Sequence, residues 1–174
     1  MGTIKFSSED VEKLLDGRYH SFIQDIHDTV HTIGSPQSIT GGNPVLYTNN
    51  GGIPIITIAP TYITSRWNVT DNKIAFPDEL NTPYYEAEIG FTFDPTAASE
   101  GLFTLRVYID DATPKLIRTV VGSYKKDPEP HSVSVKWYLG NAVGYDAKND
   151  GVYFELEFGG DGILYDKTLI IKRI

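Results

Sequence analysis

The chain has 174 residues, 40% hydrophobic and 22% charged, which suits one compact domain with a real core and excludes a disordered or collagen-like chain. Fifteen Lys and Arg against 23 Asp and Glu leave a formal charge of −8, a balance that repels a phosphate backbone and speaks against nucleic acid as a partner. The absence of cysteine removes disulfides, thiolate nucleophiles and Cys-type zinc sites from consideration.

No apolar run approaches the ~18–20 residues that span a bilayer, so no membrane partner is expected. The first residues, Met1–Asp16, are polar and acidic, unlike a secretory signal. Ser8 followed by Glu9, Asp10 and Val11 reads as a helix N-cap with acids in the first turn, where the helix dipole favours them. Gly17 stands where a glycine would end that helix. A second helical stretch carries Tyr19, Phe22, Ile23, Ile26, Val30 and Ile33 as a narrow apolar stripe. Such a stripe on a short segment predicts docking against a partner helix or a sheet. Tyr19, Phe22, Ile23, Ile26 and Val30 are therefore the candidate anchor or oligomer residues.

Residues 34–44, rich in Gly, Ser and Pro, read as a linker or loop. The expected division is an N-terminal helical anchor over 1–36 and a β domain over 37–174. Strands are predicted at Val45–Thr48, Ile53–Ile58, Tyr62–Trp67, Lys73–Phe76, Tyr84–Phe93, Leu102–Ile109, Lys115–Tyr124, Val133–Leu139, Val152–Phe158 and Thr168–Ile174. Alternation is cleanest late in the chain, as in Tyr85, Ala87, Ile89, Phe91 and Phe93 against Glu86, Glu88 and Thr92. One buried and one wet face marks antiparallel sheets. Short strands separated by turn signals, with no helix between them, predict an all-β sandwich or barrel and exclude a parallel βαβ sheet.

Residues able to carry chemistry are few. His20, His27 and His31 fall on one flank of the predicted helix, with His27 and His31 at i, i+4. That spacing presents two imidazoles to a metal, but no His-Glu-x-x-His pattern follows and a structural site takes three or four donors. A solvated or partner-facing flank is the plainer reading, with a pH-sensitive contact as the other functional one. His131 alone cannot furnish a cupin-type metal cluster. Glu86 with Glu88, and Glu155 with Glu157, read as wet strand faces rather than glycosidase pairs. Lys148 spoils the calcium-loop pattern of Asp146 to Gly151. No nucleophile motif appears. The expectation is a protein without enzymatic activity, metal or cofactor.

The segment from Trp67 to Asp78, then Tyr84 to Phe93, resembles the tumour-necrosis-factor/C1q jelly roll, in which a short strand ending in hydrophobic-Pro leads into a Tyr-containing core strand. The close, Gly162 to Ile174, is similar to the final strand of that fold in bacteriophage virion proteins. The likeness spans residues 62–174. It implies a two-sheet antiparallel jelly-roll sandwich assembling as a homotrimer, and a structural part of the virion made in the host cytoplasm. Its partners would be further copies of itself and the major capsid or another virion protein. The alternative is a carbohydrate- or receptor-binding adhesin that meets a host-surface glycan through loops carrying Trp67, Asp110, Asp111, Tyr145 and Asp146.

Overall fold

The computed structural model describes residues 23–51, 55–58, 67–75, 84–97, 100–138 and 150–173. Twelve strands follow in chain order: β1 Ile23–His27, β2 Gln37–Ile39, β3 Val45–Leu46, β4 Ile55–Ile58, β5 Trp67–Asn68, β6 Lys73–Ile74, β7 Tyr84–Pro95, β8 Gly101–Ile109, β9 Lys115–Tyr124, β10 Glu129–Tyr138, β11 Val152–Phe158 and β12 Gly162–Arg173. One sheet runs β10-β7-β12-β1-β4, with β2 also on β12; the other runs β5-β6-β11-β8-β9, with β3 also on β11.

The pairing is nested. β1 pairs with β12, β6 with β11, β7 with β10 and β8 with β9, all antiparallel. First strand with last, and so inward to a central hairpin, is the pattern of one long antiparallel ribbon rolled into two sheets, the jelly roll. The expected all-β, two-sheet antiparallel jelly roll is the architecture observed.

Strand alternation builds the core between the sheets. Tyr85, Ala87, Ile89, Phe91 and Phe93 of β7 face Phe103, Leu105 and Val107 of β8 and Phe154, Leu156 and Phe158 of β11, all buried. The rings meet edge-to-face and stacked: Phe91 lies 5.3 Å from Phe103 and 5.7 Å from Phe158, and Phe93 stacks on Phe158 at 4.0 Å. Such contacts add to the area term that drives sheet against sheet.

The helical expectation for Tyr19–Ile33 is overturned where the structure describes it. Ile23–His27 is a strand between β4 and β12, and turns follow through Ser35. Ile23 and Ile26, which share a helix face in the sequence reading, point to opposite sides of this strand. The inward row is Gln24, Ile26 and Asp28, all buried. The strand sits inside the sheet before residue 36, so the β-sandwich begins upstream of the expected boundary. Residues 1–22, with the first predicted helix, Tyr19, His20 and Phe22, lie outside the described residues.

β12 also departs from the predicted Thr168–Ile174 by starting at Gly162. Its ladder with β7 shifts between Tyr165 and Thr168, where Asp166 takes a left-handed φ of 49°. That extra residue is a β-bulge, a device that re-aims side chains. Leu164 points inward before it, and Lys167, Leu169 and Ile171 point inward after it.

Candidate functional site

Two features of the sandwich can do something beyond hold it together: its open side and a buried polar junction. At one side both sheets end, in β10 and β9 respectively. β9 is a 10-residue strand with one ladder partner, β8, among the described residues. An edge of that length is a template for association unless it is blunted. On its outward face Leu116 is 48% and Val121 58% exposed, and Leu102 of the adjoining β8 is 61% exposed. Val121 pairs with Thr104 and Ser123 with Leu102, so Leu102 and Val121 are diagonal neighbours on the same face. Leu116 pairs with Tyr108, whose ring stacks on Tyr153 at 5.1 Å.

The outward face of the other sheet is polar and internally neutralised. Ser132 and Ser134 donate to Glu88 and Glu86 at 2.7 and 2.6 Å. Lys172 reaches Glu88 at 3.3 Å and Lys136 reaches Glu86 at 3.4 Å. The serine hydroxyls, ahead of the lysines, hold both carboxyls below the usual range. These acids serve the sheet face, as the sequence suggested, and each is tied to a cation.

His131 lies at the open side, half-buried, 5.3 Å from the Phe91 ring and 5.2 Å from that of Phe103. Among the described residues its Nε2 has no hydrogen-bond partner. Burial pushes its imidazole below the ordinary 6.5, although Glu129 pulls the other way. Between that lowered value and 6.5 the unfolded chain binds more protons than the folded one, so stability falls as pH drops through 6.5. The His131 ring protons are expected to titrate by NMR with a midpoint below 6.5; a midpoint at or above it would contradict the burial.

The polar junction lies where the turn after β1 meets the β12 bulge. Asp28 donates its backbone N–H to the Lys167 carbonyl at 2.8 Å, and Asp166 donates to the His31 carbonyl at 3.0 Å. Lys167 Nζ stands 3.3 Å from Asp28 Oδ2, and both side chains are 0% exposed. The ammonium also donates to Thr48 Oγ1 at 2.8 Å and Gln37 Oε1 at 3.1 Å, under the Tyr47 ring at 5.7 Å. Asp28 Oδ1 accepts the backbone N–H groups of Val30 at 2.9 Å and His31 at 3.4 Å. Oδ2 accepts His31 Nδ1–H at 2.7 Å. Burial raises the Asp28 carboxyl, but the Val30 amide, His31 and Lys167 together outweigh it and hold the group low. Burial lowers the Lys167 ammonium, against the pull of Asp28.

Neighbouring polar residues fasten the same strap. Tyr47 Oη donates to the Thr168 carbonyl at 2.6 Å, Asn49 Nδ2 to the Ile26 carbonyl at 3.2 Å, and Trp67 Nε1 to the Asn49 carbonyl at 2.7 Å.

The predicted site residues are scattered by the structure. Ile26, 1% exposed, belongs to the sandwich core, and Val30, 48% exposed, lies on the turn. Trp67 is buried, so its ring is not offered to a ligand. Asp110 pairs with Lys73 at 2.7 Å, and Asp111 pairs with Lys115. Tyr145 and Asp146 lie outside the described residues. The His27–His31 helical pair does not form: His27 points outward from β1 to Asp25 at 3.2 Å, while His31 turns to Asp28. Among the described residues no three metal-ligating side chains converge. Sequence reasoning missed Asp28, Gln37, Thr48 and Lys167 altogether, and no local signal marks them.

No family model matches the chain, and no characterised protein matches it in sequence. It is similar to solved structures of the tumour-necrosis-factor and C1q type. Against Eiger TNF from S. frugiperda the TM-score is 0.48 at 10% identity, covering 89% of this chain and 94% of that one. Against murine APRIL it is 0.48 at 5% identity, covering 89% and 100%. Against the globular domain of zebrafish complement 1qA it is 0.46 at 12% identity, covering 89% and 97%.

Proposed function

We propose that this chain is a non-enzymatic structural protein of a bacteriophage virion, a homotrimer that decorates the capsid or its fibres and stabilises the particle surface. The observation that carries the assembly half of this reading is the exposed aliphatic set Leu102, Leu116 and Val121 on the β8–β9 edge. Aliphatic side chains exposed together beside an open edge are covered at low cost by another copy of the chain. A closed ring of three hides each such edge against its neighbour, with no free edge left to propagate. The virion half rests on the likeness of Gly162 to Ile174 to the final strand of this fold in bacteriophage virion proteins. In this reading the subunit is made in the host cytoplasm, and its first residues, through Tyr19 and Phe22, engage the capsid protein.

Ile26 is not a useful probe of that interface, because an acid there would break the core. Leu102→Asp with Val121→Asp is the better one, since both side chains face solvent in the single subunit. The double variant is expected to sediment as a folded monomer, the surface changes themselves costing roughly 0.5 kcal/mol or less each, with a thermal midpoint lowered by loss of the trimer and no longer dependent on concentration. A variant that keeps the wild-type sedimentation coefficient would remove the β8–β9 edge from the interface.

A further inference from the structure

We propose that Lys167 and Asp28 form an intramolecular isopeptide bond that covalently joins the first strand of the jelly roll to the last. The two side chains stand at 3.3 Å, both wholly buried, with the other parts of an acyl-transfer site already around them. That distance runs from Nζ to Oδ2 and sets the amine beside the carboxyl group whose carbon it must reach. Asp28 Oδ1, where negative charge would collect, faces the backbone N–H groups of Val30 at 2.9 Å and His31 at 3.4 Å, an oxyanion hole in form. Asp28 Oδ2, the oxygen that must leave, carries the His31 imidazole at 2.7 Å. Thr48 Oγ1 and Gln37 Oε1 accept two of the three Lys167 protons, which leaves the third directed at Asp28.

The reaction balances within the pair. The third Lys167 proton passes to the Asp28 carboxylate, giving a neutral amine and a neutral acid. The freed Nζ lone pair attacks Asp28 Cγ, the C–N bond forms, and the carbonyl electron pair moves onto Oδ1 against the two amides. His31 Nδ1–H donates its proton to Oδ2, the Oδ1 electron pair re-forms the carbonyl as the Cγ–Oδ2 bond breaks with its own pair leaving on that oxygen, and one water departs. The surplus proton on nitrogen returns to His31. Ammonium plus carboxylate thus becomes amide plus water, with no oxidant, cofactor or second substrate. A buried ion pair carries a large desolvation cost; the neutral amide relieves it, and the burial of both side chains shields the product from hydrolysis.

His31 is 19% exposed at its side chain and Asp28 is 0%, so the catalytic imidazole reaches water while the bond it makes does not. The bond would clamp the two ends of the nested ribbon, where unrolling begins.

Intact-mass measurement of the folded full chain tests this. The wild type is expected to be lighter than its sequence mass by one water. A tryptic digest should show no cleavage after Lys167 and a branched peptide joining it to the segment holding Asp28. Lys167→Arg, which keeps a buried cation, and Asp28→Ala should both show the full mass, whereas Asp28→Asn should lose ammonia. His31→Gln, on the outer side of the turn, should fold and form the bond about 10²-fold more slowly or worse. Folded wild type of full mass overturns the proposal. So does a deficit that persists in Lys167→Arg, or one that mild alkali erases, as it would a cyclised Asp at Asp150-Gly151 or Asp161-Gly162.

Discussion

Asp28→Ala is expected to destabilise the protein by about 3–5 kcal/mol, the cost of leaving a buried charge without its partner. Lys167 would then keep Thr48 and Gln37 as neutral acceptors but have no counter-charge in a wholly buried site. The same cut removes the acceptor for the Val30 and His31 amides, so the turn that follows β1 loses its fastening to the β12 bulge. Adding Lys167→Met should restore the part due to the unpaired ammonium, but not the part due to the Val30 and His31 amides. A urea titration of both single variants and the double variant measures the coupling; a single variant that melts like wild type would contradict the junction. The pH dependence has a definite sign. The Asp28 carboxyl is held below its ordinary 3.8, so its contribution is present above that value and is lost as pH falls through the folded one. Any covalent bond at the junction would add to the cost of Asp28→Ala and would remove that acid limb.

Phe158→Ala is the second large effect, at about 3–5 kcal/mol. Its ring is 0% exposed, stacks on Phe93 at 4.0 Å and meets Phe91 edge-on at 5.7 Å. It therefore ties β11 of one sheet to β7 of the other. Deleting it opens a cavity between sheets whose backbones are held by ladders on either side and can collapse little. A drop in the thermal midpoint of about 10 °C or more is expected for a chain of this size. A drop within a couple of degrees would mean that the two sheets are not joined through this aromatic layer.

The strands β7, β8, β10 and β11 are legible because each carries one apolar and one polar row, and the structure keeps those rows. β1 is not, for a physical reason. Its inward row, Gln24, Ile26 and Asp28, holds two polar residues, so the period of two is erased. What remains, with Phe22, Ile23, Val30 and Ile33, imitates a helix stripe. Asp28 is tolerated inside because the Val30 amide, His31 and a lysine from the far end of the chain together satisfy it. Lys167 is hidden in the same way. By strict alternation from Leu164 it would face outward; the bulge at Asp166 turns it in. Trp67 reads as a ligand-binding ring because it stands beside a turn, but its Nε1–H has a buried carbonyl to meet. The aliphatic edge of β9 is readable as a strand, while its lack of a second neighbour among the described residues is a property of the rolled topology alone.

The most direct test of the assembly reading is the mass of the purified chain in solution by light scattering. A homotrimer gives about three times the 19.4 kDa of the single chain. A mass that stays at 19.4 kDa across the accessible concentration range would contradict it, and would leave the exposed face of β8 and β9 without the partner assigned to it here.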